Sequence, residues 1–112
     1  MTLVPLLLAL HLALSPAADQ SQPAVSEARR LRDNRAFAEA VKVLEDYLRS
    51  HPADLEAEWL YAQTLYWLKD YDRARIAYAA ALAHHPNEEG LRLDYARVLA
   101  DTGDLRGARL LL

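Results

Sequence analysis

Two groups of residues have side chains and a spacing that could support chemistry. The triplet Asp101-Thr102-Gly103 matches the one in aspartic proteases, but that reaction needs two carboxylates sharing a proton on paired β-loops. His84 and His85 are adjacent and, together with His51, could suggest a metal site. Because His51 and His85 each precede a proline at an expected helix end, histidines that favour the helix dipole are the preferred interpretation.

Other motifs for catalysis are absent from the sequence. The 112 residues contain no cysteine, which excludes disulfide frameworks, thiolate zinc sites and cysteine nucleophiles. No glycine-rich phosphate loop, H-E-x-x-H pair or serine nucleophile elbow occurs. The formal net charge is -3, and the chain lacks the clustered surplus of basic residues that is typical of nucleic-acid binding. We therefore expect a protein that is not an enzyme, uses no cofactor or metal and binds no nucleic acid.

The N-terminal segment has the features of an export signal. Residues 3–14 are apolar except for His11, with Pro5 as the one helix breaker. This run is shorter than the roughly 20 residues that a membrane-spanning helix needs. It matches the apolar region of a secretory signal peptide, with Ser15 and Ala17 as the small residues before the cleavage site.

This interpretation divides the chain into three parts. We expect a signal peptide over residues 1–17, a linker over 18–23 and one helical domain over 24–112, with the first helix near 24–34. The mature chain would be exported to the periplasm or cell envelope and would contain no transmembrane span. No Lys or Arg precedes Arg29, so the positive region of the signal is only the terminal amine. A buried or amphipathic N-terminal helix is the alternative.

Residues 18–112 contain an internal repeat with a period of about 34 residues, a length typical of helical repeat proteins. When the chain is compared with itself at that shift, identical residues coincide without a gap, for example Pro52 with Pro86 and Ala62 with Ala96. The repeats cover about 18–51, 52–85 and 86–112, and the last is truncated. Because the identities fall at small or apolar positions, they indicate a repeated packing unit.

Each unit is predicted to be a pair of helices, A and B. In the middle unit, apolar residues follow the i, i+3, i+4 spacing of one amphipathic helix face: Ala57, Leu60, Tyr61, Thr64, Leu65 and Leu68. Asp70 and Asp104 are placed to cap the second helices of their units. Gly103 suits the left-handed position that ends a helix.

These residues resemble the tetratricopeptide repeat, a helix–turn–helix unit of about 34 residues with small residues in both helices and a closing proline. The resemblance implies an all-α fold, a right-handed superhelix of antiparallel helix pairs. It departs from the family pattern at Glu58, where a tryptophan is expected, and at Tyr47, where a small residue is expected. The repeat packing positions that it implies are Ala28, Leu31, Phe37, Ala40, Leu48, Pro52, Tyr61, Ala62, Leu65, Tyr71, Ala74, Tyr78, Ala81, Leu82, Pro86, Tyr95, Ala96, Leu99 and Ala108.

The resemblance also implies a partner-binding groove lined by first helices. The candidates are residues off the packing stripe: Arg29, Arg32, Trp59, Gln63, Tyr66, Leu93 and Arg97. Aromatic residues and arginine are enriched in binding hot spots. The alternative is that Trp59 and Tyr66 pack against neighbouring repeats. The arginines around position 30 are expected to form a solvated face with i,i+4 ion pairs.

Three functions remain open. The first is a periplasmic scaffold with protein or peptide partners. The second is the repeat section of an outer-membrane barrel or exopolysaccharide protein, because residues 55–68 are similar to repeats of such export proteins, with a polysaccharide as the ligand. The third is an accessory domain of an enzyme encoded downstream. Since the third unit ends within its second helix, we expect the N-terminal piece of a longer protein, or self-association through Leu110–Leu112.

Overall fold

The computed structural model describes residues 22–112, and their regular structure is helical throughout. The helices are α1 (Gln22–Asp33), α2 (Phe37–Ser50), α3 (Leu55–Trp67), α4 (Tyr71–His84), α5 (Glu89–Asp101) and α6 (Leu105–Leu111). The expected signal peptide and most of the expected linker lie outside these residues. No helix between residues 22 and 112 has the length and apolar character needed to cross a membrane.

The helices form three pairs, α1 with α2, α3 with α4 and α5 with α6. Three residues separate the two helices of each pair, and so short a connection makes them antiparallel neighbours. Each pair packs on the next, and α1 also contacts α3. One repeat of the sequence therefore corresponds to one helix pair.

The turn inside each pair has the same backbone geometry. Arg35, Lys69 and Gly103, which occupy equivalent positions in the three repeats, have φ of 62°, 67° and 95°. The next N–H in each turn donates to a carbonyl five residues earlier, at 2.8 to 3.0 Å. This is the Schellman arrangement, which needs one left-handed residue. Glycine adopts that conformation freely, whereas a residue with a Cβ is disfavoured there by roughly 1–2 kcal/mol.

Aspartates cap three of the helices. The Asp54, Asp70 and Asp104 side chains accept from the amides three residues later, at 3.1, 3.4 and 2.8 Å. The caps predicted at Asp70 and Asp104 are therefore confirmed. α2 lacks such a cap because Ala36 occupies the position.

Small residues bring the helices together. Ala28, Ala40, Ala62 and Ala74 are fully buried, as is Ala81, and Ala96 and Ala108 are at most 6% exposed. Because alanine has only a Cβ, neighbouring helix backbones approach closely at these positions. The largest fully buried side chains, among them Leu44, Leu65 and Tyr78, fill the space around them.

Some residues expected in the packing are exposed to solvent over more than a third of their surface. Tyr71 is 40% exposed and lies against the Tyr66 ring, with centroids 5.7 Å apart. Leu68, which follows α3 as its cap, is 38% exposed. Tyr47, by contrast, is buried where a small residue was expected, and its hydroxyl donates to Asp54 at 2.8 Å. The beginnings of α4 and α6, at Tyr71 and at Leu105, which is 61% exposed, therefore lie at the rim of the fold rather than in its core.

The last helix is only partly buried. Ala108 packs with Leu99 and Ala96 of α5, and Leu111 lies against this cluster. Leu110 and Leu112 are 82% and 80% exposed. The apolar surface expected at the end of the third unit is thus present on these two side chains.

Candidate functional site

A cleft of about 670 Å³ opens where the ends of three helix pairs meet. Its lining combines cations, aromatic rings and few acids: Arg32, Asp33, Arg35, Phe37, Gln63, Tyr66, Trp67, Lys69, Tyr78 and Arg97. These residues come from five of the helices, α1 to α5, and from the turns between helices. A volume of this size lies within the range of ligand-binding clefts.

Asp94 of α5 organises the base of the cleft. Its Oδ2 accepts hydrogen bonds from the Trp59 indole at 2.8 Å, the Gln63 amide at 3.2 Å and the Tyr78 hydroxyl at 2.7 Å. Its Oδ1 accepts from Arg97 at 2.8 Å. One carboxylate thus joins α3 and α4 of the middle pair to α5 of the next pair.

These contacts shift the pKa values of both partners at the base. Burial by itself would raise the pKa of Asp94, but the hydrogen bonds donated by Trp59, Tyr78, Arg97 and Gln63 outweigh it and lower that pKa. Burial, followed by its hydrogen bond to Asp94, raises the pKa of Tyr78. The carboxylate is therefore ionised and the phenol neutral at physiological pH.

Tyr66 and Arg97 form one wall of the cleft. The Arg97 guanidinium lies 5.4 Å from the centre of the Tyr66 ring, and both side chains hydrogen-bond to Asp101, at 3.0 Å from Arg97 and 3.1 Å from Tyr66. A cation over an aromatic face is attracted by the ring quadrupole. The wall is therefore held in place before any ligand arrives.

The structure brings four of the seven groove candidates to the cleft and places three elsewhere. Arg32, Gln63, Tyr66 and Arg97 line it. The Trp59 ring instead packs from α3 against α5. The contact is so close that a Cβ added to Gly90 of α5 would lie 3.0 Å from the indole. Arg29 pairs with Glu56, and Leu93 is exposed outside the cleft. The spacing of apolar residues on each helix predicted many of the buried positions, but it did not predict which surface residues converge.

Four residues of the cleft were predicted neither for the groove nor for the packing, namely Asp33, Arg35, Lys69 and Trp67. Trp67 is 58% exposed and meets the Tyr66 ring edge-on, with centroids 5.8 Å apart. The side chains of Arg35 and Lys69 form no ion pair or hydrogen bond with any residue from 22 to 112. Arg35, Lys69 and Gly103 are each 34 residues apart, and this spacing could have placed them in equivalent turns from the sequence alone.

The arginines near position 30 pair differently from the expected i,i+4 pattern. Arg30 binds Glu27, an i,i+3 pair at 2.7 Å, and Arg32 binds Asp33 at 3.0 Å. Arg29 crosses to Glu56 on α3. The acidic partner lies three residues before Arg30 and one residue after Arg32. The expected i,i+4 pairing is therefore wrong for these arginines.

The histidines lie at helix ends, as expected, but two of them share a buried carboxylate. Glu58, only 6% exposed, binds His84 Nδ1 at 2.7 Å and His85 Nε2 at 3.2 Å. Across residues 22–112, no three His, Asp or Glu side chains are positioned to hold a metal ion. Asp101 and Thr102 lie at the end of α5, where Asp101 binds Tyr66 and Arg97.

Comparisons with known proteins agree with this architecture. A family model described as tetratricopeptide repeat matches residues 31–89 and 68–112. The Yersinia enterocolitica type III secretion translocator chaperone SycD, solved as an alternative dimer, is similar with a TM-score of 0.76 and 18% identity, over 83% of this chain and 70% of that chain. The MamA RS-1 ArsTM double mutant has a TM-score of 0.76 and 22% identity over the same 83%.

These similarities concern the fold alone. This chain spans about half of the MamA chain, 52% of its length. No curated protein matches the chain by sequence. At identities as low as these, the shared feature is the stack of helix pairs and not a set of side chains.

Proposed function

This chain belongs to the tetratricopeptide repeat family, and from that premise we propose that it is a non-enzymatic scaffold that binds a segment of a partner protein in the cleft between α1, α3 and α5. The fold implies protein partners, and it is shared with a secretion translocator chaperone. In this proposal the helix pairs follow a right-handed superhelix, as the family does.

The observation that carries the proposal is the cleft itself. Its wall of Tyr66 and Arg97 is fixed by Asp94 and Asp101, so little side-chain conformational entropy is lost on binding. Trp67 adds a large ring that is 58% exposed. Aromatic residues and arginine in a pre-formed cleft are the composition of binding hot spots.

The binding role predicts a large effect from Trp67. Replacing Trp67 with alanine removes an exposed ring that supports no buried core, so helicity and unfolding midpoint should hardly change. We expect binding of a captured peptide to weaken by about tenfold or more, as for a hot-spot residue. Ile76→Ala is the matched control, because Ile76 is 69% exposed and lies outside the cleft.

The experiment selects peptides from a displayed random library on the immobilised chain and then measures their affinities by fluorescence anisotropy. The proposal predicts that wild type and Ile76→Ala bind the selected peptides equally and that Trp67→Ala loses them. A selection that enriches no peptide, or equal losses in both variants, would contradict the proposal.

Export belongs to the same proposal and rests on residues 1–17, an apolar run followed by Ser15 and Ala17. Expression of the full chain in a Gram-negative host should yield a periplasmic product that begins at Ala18. N-terminal sequencing and mass spectrometry of the periplasmic and cytoplasmic fractions measure this. An unprocessed chain found only in the cytoplasm would refute export and leave the binding role untouched.

A further inference from the structure

We infer that the cleft recognises an acidic segment of its partner protein through Arg35 and Lys69, an inference that rests on the proposed binding function. Both cations line the cleft, and they occupy the same left-handed position in the turns of successive repeats. The solenoid therefore presents two equivalent charges in a row along one edge. A segment lying across the pairs would meet them in sequence.

The cleft has a surplus of positive charge, because the carboxylates beside it already bind other side chains of the protein. Asp33 is bound by Arg32 at 3.0 Å, and Asp94 receives four donors. Asp101, at the rim, is bound by Arg97 and Tyr66. Within residues 22–112, Arg35 and Lys69 thus remain as cleft cations without a carboxylate, on a chain whose net charge is -3.

The backbone supports a role for these side chains. Both residues have a positive φ, a conformation that Gly103 adopts in the third turn without a Cβ. A long cationic side chain brings no packing benefit here, because both residues are exposed. Local strain that glycine would relieve is typical of positions selected for what the side chain contacts.

The rest of the lining defines the other part of the ligand. Phe37, Tyr66 and Trp67 give the cleft apolar and aromatic surface beside the two cations. The matching segment carries two or more carboxylates and at least one apolar side chain. A nucleic acid fits poorly, since its continuous phosphate charge would face the acidic remainder of the chain with only two unpaired cleft cations in its favour.

The test uses the full chain and three fluorescent peptides of equal length that share tryptophan and leucine residues. The peptides differ only in the remaining positions, which are glutamate, serine or lysine. Anisotropy at low and high salt measures their affinities. We expect the glutamate peptide to bind best. Its affinity should fall as the salt concentration rises, because salt screens exposed charges.

The variant Arg35→Gly/Lys69→Gly removes both cations and gives each turn its preferred residue, so it should fold at least as well as wild type. We expect its affinity for the glutamate peptide to fall by about 3- to 30-fold, the range for two exposed charge pairs. Lys42→Ala/Arg106→Ala is the control, since it removes two exposed cations outside the cleft.

The outcomes separate this inference from the proposed function. If the serine or lysine peptide binds as well as the glutamate peptide, or the glycine variant keeps its affinity, the acidic-segment inference is wrong and peptide binding stands. If a single-stranded oligonucleotide binds more tightly than the glutamate peptide, the protein partner class is wrong. If none of the three peptides binds and the library also enriches none, both proposals fail.

Discussion

Asp94→Ala is expected to lower the free energy of unfolding by about 2–4 kcal/mol, because three buried or half-buried donors lose their acceptor at once. Trp59, Gln63 and Tyr78 all donate to the same carboxylate oxygen. An unpaired donor in the base of the cleft loses its hydrogen bond without regaining full contact with water. The contact between the middle and third helix pairs should weaken most.

Urea unfolding followed by circular dichroism measures this change, and tryptophan emission reports the combined environment of Trp59 and Trp67. Asp101→Ala is the control, because Asp101 also binds Arg97 but is an exposed side chain. An exposed pair contributes about 0–1 kcal/mol. If the two variants lost equal stability, Asp94 would not be the organising residue that its hydrogen bonds indicate.

The Asp94 carboxylate also makes the free energy of unfolding depend on pH in the acid range. Because its hydrogen bonds hold the pKa of Asp94 below the usual value, the folded state binds fewer protons than the unfolded state in the acid range. The stabilisation is complete above the ordinary aspartate pKa of about 3.9 and is lost as pH falls through the lowered folded value. Asp94→Asn should show a shallower loss of stability with acid.

Ala74→Leu is expected to destabilise the middle pair by about 1–3 kcal/mol, the range for added methylenes in a close-packed core. Ala74 is fully buried in one cluster with Ala62, Leu65 and Tyr78. Since no space is left for three more carbons, α3 and α4 must move apart or adopt strained rotamers. The shift of the urea midpoint measures the effect.

Ala79→Leu makes the same substitution on an exposed position of the same helix. It should leave the midpoint nearly unchanged, because leucine and alanine have similar helix propensities. A midpoint that is also unchanged in Ala74→Leu would contradict the close helix approach on which the repeat packing depends.

Much of the fold was predictable from short-range rules of the chain. The regular repeat of helix pairs, the caps at Asp70 and Asp104 and the left-handed Gly103 follow from helix spacing and backbone geometry. The buried alanines follow from the same repeat. The caps and the left-handed turn depend only on residues within about one helical turn. The helix pairs and the buried alanines were predictable because their pattern recurs with the 34-residue period.

The cleft depended on contacts that the local pattern does not encode. Trp59 and Asp94 are 35 residues apart, and Glu58 lies 26 and 27 residues from the histidines it binds. Four groove candidates meet there and three do not, because the choice depends on how one pair rotates against the next. Amphipathic spacing shows which side of a helix faces inward. Only the packing of whole helix pairs brings polar side chains from different repeats to one place.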